Sequence, residues 1–492
     1  MMKILKLLML SVIVLMVSCT SKKKYNQALI VEHPVEALKK DYQILKTSLL
    51  EAHPGIYWYI DSIVLAQKFD SVENLLNKPL TSLAFYRYVA PLITEIKCGH
   101  TRLVYPNKKY TLAEKQALKA KGVHPFNQFK IALDEDKVFI KSVRDSSSHP
   151  LKPKMQILSI DAYPVNTIIK KANQLFSSDG YNKTLQPYII ENNFGYYYQL
   201  NFKKSDSILL KIKQDTLIKD VNLGFKKIKS SSKKIDKKLV YLGKDADGKP
   251  ILDLKIDTLT KVAILKVGSF SFEQANFSKF YRQSFKKLKE QKINNLILDL
   301  RGNSGGRLSA CNKLFRYLYD QPAIFNQRVE VKERYISTRK YFQNSWFYNF
   351  PFPHLTIKKD SLGYYTPLRT HKYLEPKNNV YQQNLFVLIN GLSYSATSLL
   401  AANLQGVKRG FFIGEETGGA YNKCTAGIIP YVNLPNTKVK LRLPLKVMKP
   451  NTSQSIVGRG VFPHHEVHSN LLDELEGKDK QLEKALQLIK SR

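Results

Sequence analysis

Leu296-Ile-Leu-Asp-Leu-Arg-Gly-Asn-Ser-Gly-Gly306 is an apolar run that breaks into a glycine-rich turn. A strand with consecutive apolar residues is covered on both faces, as in a largely parallel sheet. The residues on either side repeat the unit: a strand at 262–267 before a helix at 272–289, and a strand at 295–300 before a helix at 308–319. A strand at 385–389 before a helix from about 395 to 404 makes a third. Strands at 410–413 and 437–443 are expected to extend the sheet, and an amphipathic helix at 480–489 closes the chain. This alternation predicts an α/β core over 256–492.

Toward the N-terminus the pattern changes. Leu38, Tyr42, Leu45 and Leu49 share one helical face before Pro54 and Gly55 end the run. Phe85, Val89, Leu92 and Ile96 mark a second helix with a kink expected at Pro91. Together they suggest a helical unit at 35–105. From 106 to 225 alternating stretches such as Lys137-Val-Phe-Ile-Lys-Ser-Val143 read as strands of an inserted β-rich domain, and the Lys- and Ser-rich 226–255 reads as a linker. The aromatic stretch 325–376 is expected to be a long, irregular but ordered segment.

The chain has 492 residues, with 78 Lys and Arg against 40 Asp and Glu for a net charge of +38. The lysines are dispersed and fall in no nucleic-acid module, so a solvated basic surface is expected and no nucleic-acid partner. Lys3 and Lys6 precede an apolar run at 7–17 that is short for a bilayer span and ends in Ser18-Cys19. That is the pattern of a bacterial lipoprotein signal at 1–18, with Cys19 acylated, a tether at 19–34, and a location at the cell envelope on the periplasmic or extracellular face of a membrane. Cys98, Cys311 and Cys424 then remain, an odd set that reads as buried apolar filling, with a single bridge or a reactive thiol left open.

Two stretches carry chemistry. In the turn that ends at Gly306, glycines let backbone N–H groups approach a ligand closely and can bind an oxyanion. In Leu385-Phe-Val-Leu-Ile-Asn-Gly-Leu-Ser-Tyr-Ser-Ala-Thr-Ser398, a strand meets hydroxyls at a helix start, where unpaired N–H groups favour a developing negative charge. A serine there suits a nucleophile, and it equally suits a helix cap. Local physics does not rank Ser393, Ser395, Thr397 and Ser398.

Taken together, Asp299 to Gly306, Ser395-Ala-Thr-Ser398 and Gly414-Glu-Glu-Thr-Gly-Gly419 resemble the C-terminal processing (tail-specific) peptidase family, the S41-type serine peptidases, closest to the tricorn-like branch. The resemblance implies a ClpP/crotonase-type core with an N-terminal helical unit and an inserted PDZ-like domain. Lys154-Met-Gln-Ile-Leu-Ser-Ile-Asp-Ala162 resembles a PDZ segment, with Lys154 and Ala162 replacing glycines. The resemblance makes Ser395 the nucleophile and gives the oxyanion hole to the N–H groups of Gly305 or Gly306 and of Ala396. It also makes His100, within Cys98-Gly-His-Thr-Arg102, the general base. The lysine of the Ser-Lys branch would fall near Ala420, leaving Lys423 as a displaced alternative. The glutamate of the tricorn-like branch would fall near Val457, leaving Glu415 and Glu416 as stand-ins for the acid that orients the histidine. No cofactor is implied, and His464, His465 and His468 lack a second cluster for a metal. The expected activity is acyl-enzyme cleavage of peptides or unfolded protein tails. A catalytically inactive binder of peptides or envelope polymers and an esterase are the alternatives.

Overall fold

The computed structural model describes residues 22–145, 149–227, 241–244, 248–271, 275–349, 352–368, 373–452 and 456–491. Cys19 and most of the expected linker lie outside the described residues.

The apolar runs pair as their burial requires. Among the described residues, six strands form the central sheet in the order Leu252–Asp257, Val262–Val267, Asn295–Asp299, Asn384–Ile389, Phe411–Gly414, His465–Glu466. The first pair is antiparallel and the rest parallel, with Ile264, Ile297, Phe386 and Phe411 in one register row. The chain is therefore mixed α/β, as expected. On one face Leu265, Leu298, Val387 and Phe412 pack under the helices Phe277–Glu290, Leu308–Leu318 and Ala396–Gly406. On the other face Ile297, Phe386 and Ile413 meet Ala485 of the helix Lys480–Lys490. The five parallel strands point their C-terminal ends at the same edge, where open sheets of this kind place their sites.

The helix Val35–Ala52 buries Leu38, Tyr42, Leu45 and Leu49, and Ser82–Thr94 carries Pro91 inside it. A third helix, Ser62–Leu75, lies between them, capped by Asp61. The β-rich segment contains the strands Phe129–Asp134, Lys137–Val143, Gln156–Ile160, Ile208–Gln214 and Leu217–Leu223 in one antiparallel sheet. It also holds three helices, Leu112–Lys121, Val165–Asn173 and Leu185–Asn201, that alternation did not reveal. One apolar cluster runs from Leu38 through Val89 and Ile157 to Leu441. The N-terminal helices and this sheet thus share a core.

Two expectations change. The strand at 437–443 is the short Lys440–Arg442, and it leaves the central sheet to pair with Arg102–Val104. That pairing joins the two ends of the chain directly beside His100. The aromatic stretch is more regular than expected: Asn326–Val331, Ile357–Lys359 and Tyr365–Pro367 join Lys446–Pro450 and Cys424–Ala426 in a second antiparallel sheet.

Candidate active site

Two strand ends meet first. After Asp299 the chain turns through Leu300 to Gly306, and after Ile389 it turns through Asn390 to Ser395. The turns hold each other: Ser393 Oγ donates to the Leu300 carbonyl at 3.0 Å, the Tyr394 N–H to the Asn303 carbonyl at 3.1 Å, and the Gly302 N–H to Asn390 Oδ1 at 3.1 Å. Gly305 has φ +96°, and a Cβ there would stand 2.8 Å from Ser395 Cβ and 2.9 Å from the Ala396 nitrogen. Only a glycine allows that approach.

These contacts rank the four hydroxyls. Ser393 is tied to Leu300, and Ser398 donates to the Ser395 carbonyl at 2.8 Å. Thr397 Oγ1 is buried without a partner among the described residues. Ser395 stands at the N-cap of Ala396–Gly406 with φ 59° and ψ −120°, a strained conformation for a non-glycine residue, and its side chain makes no cap hydrogen bond. Such strain costs about 1–3 kcal/mol and persists only where packing enforces it. The Ser395 hydroxyl instead lies 3.0 Å from His100 Nε2.

His100 reaches this point because Cys98-Gly-His-Thr101 is a tight turn after the second N-terminal helix, closed by the Thr101 N–H on the Cys98 carbonyl at 3.0 Å. Arg442 Nη1 donates to the His100 carbonyl at 2.9 Å, fixing the turn to the strand Lys440–Arg442. The ring is buried. Burial holds the imidazole well below its ordinary pKa, and Arg442, Arg102 and His53 add to the effect. It is therefore neutral at neutral pH, as a proton acceptor must be.

The other ring nitrogen has a partner that sequence reasoning missed. Tyr394 Oη lies 2.6 Å from His100 Nδ1, and the two rings stack at 4.6 Å and 23°. The charge of the buried Asp179 also acts on this phenol and helps raise its pKa well above the ordinary range. Asp179 accepts from the Gly99 N–H at 2.8 Å and the Ala420 N–H at 3.4 Å. Burial pushes its carboxyl up to about 6, against the opposing effect of those hydrogen bonds. Asp179 belongs to Ser177-Ser-Asp-Gly180, which is laced to the His100 turn by Ser177 Oγ on the Cys98 carbonyl at 3.1 Å and by the Gly180 N–H on the Lys97 carbonyl at 2.8 Å.

Neither expected orienting acid reaches His100. Glu415 accepts from Tyr188 Oη at 3.0 Å. Glu416 is buried on Arg459, at 3.0 and 2.6 Å, and on the Gly460 N–H. Both acids instead brace the turn through Gly419 that packs behind the serine. Lys423 sends its ammonium over the Trp58 ring, 3.9 Å from the centroid, and burial beside Lys449 brings its pKa down to about 8. Burial raises the Cys424 thiol well above the ordinary range. Cys98, Cys311 and Cys424 are all free and buried. His464 Nδ1 accepts from the Phe412 N–H at 2.9 Å.

Of the expected oxyanion donors, the Gly305 N–H is engaged by Asn303 Oδ1 at 2.9 Å. The N–H groups of Gly306 and Ala396 have no hydrogen-bond partner among the described residues. The arrangement offers a hydroxyl, a neutral imidazole to take its proton, and two unpaired donors beside it.

Known proteins resemble this chain in part of its sequence and in fold. Residues 261–467 match the model of Peptidase family S41. The structure of mature CPAF superposes with a TM-score of 0.62 at 15% identity, covering 92% of this chain and 98% of that one, which is a likeness of fold. The photosystem II D1 C-terminal processing protease gives 0.44 at 15% identity, over 92% of this chain and 97% of that one. The tricorn protease gives 0.38 at 13% identity, over 92% of this chain and 37% of that one. No curated protein matches the sequence.

Proposed function

We infer that this chain, a serine peptidase carrying a family S41 domain over residues 261–467, cleaves peptides or unfolded protein tails through an acyl-enzyme formed on Ser395. The observation that carries the reading is the 3.0 Å approach of Ser395 Oγ to His100 Nε2, between residues nearly three hundred positions apart. His100 takes the Ser395 proton as the oxygen attacks the scissile carbonyl, and returns it to the leaving amine. The N–H groups of Gly306 and Ala396 receive the oxyanion. Water then hydrolyses the ester by the same proton path.

The N-terminal Lys3, Lys6, apolar run and Cys19 support a lipid anchor at the cell envelope. A Cys19→Ser chain should leave the membrane fraction and lose acyl-chain labelling. Retention and labelling of that variant would reject the anchor.

The activity is tested by incubating the purified chain with an unfolded protein and comparing Ser395→Ala and His100→Ala. Cleavage by the parent alone supports the reading. Cleavage that survives Ser395→Ala rejects it, absence of cleavage by the parent favours the inactive binder, and turnover of esters alone favours the esterase.

A further inference from the structure

We propose that Asp179 and Tyr394 are positioning residues that decide which ring nitrogen of His100 carries the proton, an inference that rests on the Ser395–His100 reading above. The Tyr394 hydroxyl has one proton: His100 Nδ1 lies 2.6 Å away, and the charge of the buried Asp179 carboxylate, held beside it on the Gly99 N–H at 2.8 Å, also acts on the phenol. If the proton points at Nδ1, a neutral ring must carry its own proton on Nε2. That N–H then faces Ser395 Oγ and the ring cannot act as a base. If the proton points at Asp179, the phenol oxygen accepts from Nδ1–H, and the Nε2 lone pair faces the serine.

The ionised carboxylate is the stronger acceptor, so Asp179 selects the second arrangement. The local build serves this. Gly99 donates its N–H to Asp179, and a Cβ on it would stand 2.6 Å from Tyr394 Oη. Only a residue without a side chain lets the carboxylate, the phenol and the imidazole come together there. During turnover the Ser395 proton moves to Nε2, the imidazolium keeps Nδ1–H on the phenol oxygen, and Tyr394 and Asp179 keep the protons they began with. The added proton leaves from Nε2 to the amine.

The proposal makes an unusual prediction about two variants. In Asp179→Asn the amide donates to the phenol oxygen, so the phenol proton turns to Nδ1 and the unproductive tautomer wins; kcat/KM should fall about 1000-fold or more, as a wrong histidine tautomer does elsewhere. Tyr394→Phe removes the hydroxyl and leaves the ring free to choose, with a loss of about 10–100-fold. The double variant should recover to the level of Tyr394→Phe. A double variant as impaired as the product of the two single losses, or an Asp179→Asn chain within about threefold of the parent, would overturn the proposal. The parent alone gives a second readout independent of how the variants fold. Ring-nitrogen NMR of the full chain, with His100 assigned by difference against His100→Gln, should show the proton on Nδ1, and a proton on Nε2 would overturn it. If Ser395→Ala leaves cleavage intact, the underlying reading fails. If Ser395→Ala abolishes cleavage while Asp179→Asn preserves it, only this inference does.

Discussion

Two buried acids near the edge of one sheet are treated in opposite ways. Asp299, at the end of its strand, is met by Arg301, which also grips Asp479 at 2.6 Å and so ties the last helix to the sheet. Burial opposes the charge on Arg301, and its hydrogen bonds to Asp299 and Asp479 more than offset that, so its pKa is raised. Asp179 is equally enclosed but among the described residues is held by N–H groups with no cation in contact, and its carboxyl is pushed up to about 6. A paired acid fixes a position; an acid left with hydrogen-bond donors alone stays responsive to its neighbours. The first arrangement suits holding the fold, the second suits poising a proton.

The contrast breaks most sharply by removing the group at the centre of each. His100→Ala should lower kcat/KM about 10,000-fold with an unchanged melting temperature. Arg301→Met should do the reverse. It should cost about 2–3 kcal/mol of stability, below the ~3–5 of a fully buried pair because Asp479 is partly exposed, while the folded fraction keeps activity within a few-fold. Loss of activity without loss of stability in Arg301→Met would dissolve the distinction.

Titration sharpens it. Asp179 releases its proton near 3.8 when unfolded and at about 6 when folded. The folded state therefore holds more protons between those values, and stability from this group falls as pH rises through that window. The effect is about 2–3 kcal/mol at about 1.4 kcal/mol per unit. Denaturant melts at pH 4 and pH 7 should show this slope in the parent and lose it in Asp179→Asn. Activity runs the other way, falling as pH drops below about 6, because only the carboxylate turns the phenol. Tyr59, Cys98, Cys424 and Tyr394 face Asp179, and Arg442, Arg102 and His53 face His100. Burial raises Tyr59, Cys98, Cys424 and Tyr394 and lowers His53 and His100 from their ordinary values, while it pushes the Asp179 carboxyl up to about 6. An acid limb unchanged in Asp179→Asn would assign it elsewhere.

What the sequence disclosed follows the same division. The strand Val262–Val267 and the helix faces around Leu38 and Phe85 were legible because burial imposes a local pattern. Asp179 was not. Ser177-Ser-Asp-Gly180 has the composition of an ordinary exposed turn, and its burial arises from docking onto Lys97–Gly99 and Ala420, which no local period encodes. The helix Leu185–Asn201 was hidden by Pro187, Gly195, three consecutive tyrosines and a non-helical break at Asn193. Glu415 and Glu416 looked suitable as acids by nearness in sequence, but Tyr188 and Arg459 hold them away. Ser395 and His100 were picked out by family resemblance, since Ser395 shares its turn with three other hydroxyls.

Smaller effects test the edges of the account. Gly99→Ala should cost about tenfold or more in kcat/KM by pressing on Tyr394 Oη. Lys423→Met should change kcat/KM less than about threefold, since its ammonium lies over Trp58. A loss of about 100-fold or more in that variant would make the lysine the base.

The pairing of Ser395 with His100 is tested most directly by a fluorophosphonate, which bonds covalently to an activated serine, followed by peptide mapping. The account predicts one adduct, on Ser395, in the parent and none in His100→Ala. An adduct on another hydroxyl, or one on Ser395 that forms at the same rate without His100, would contradict it.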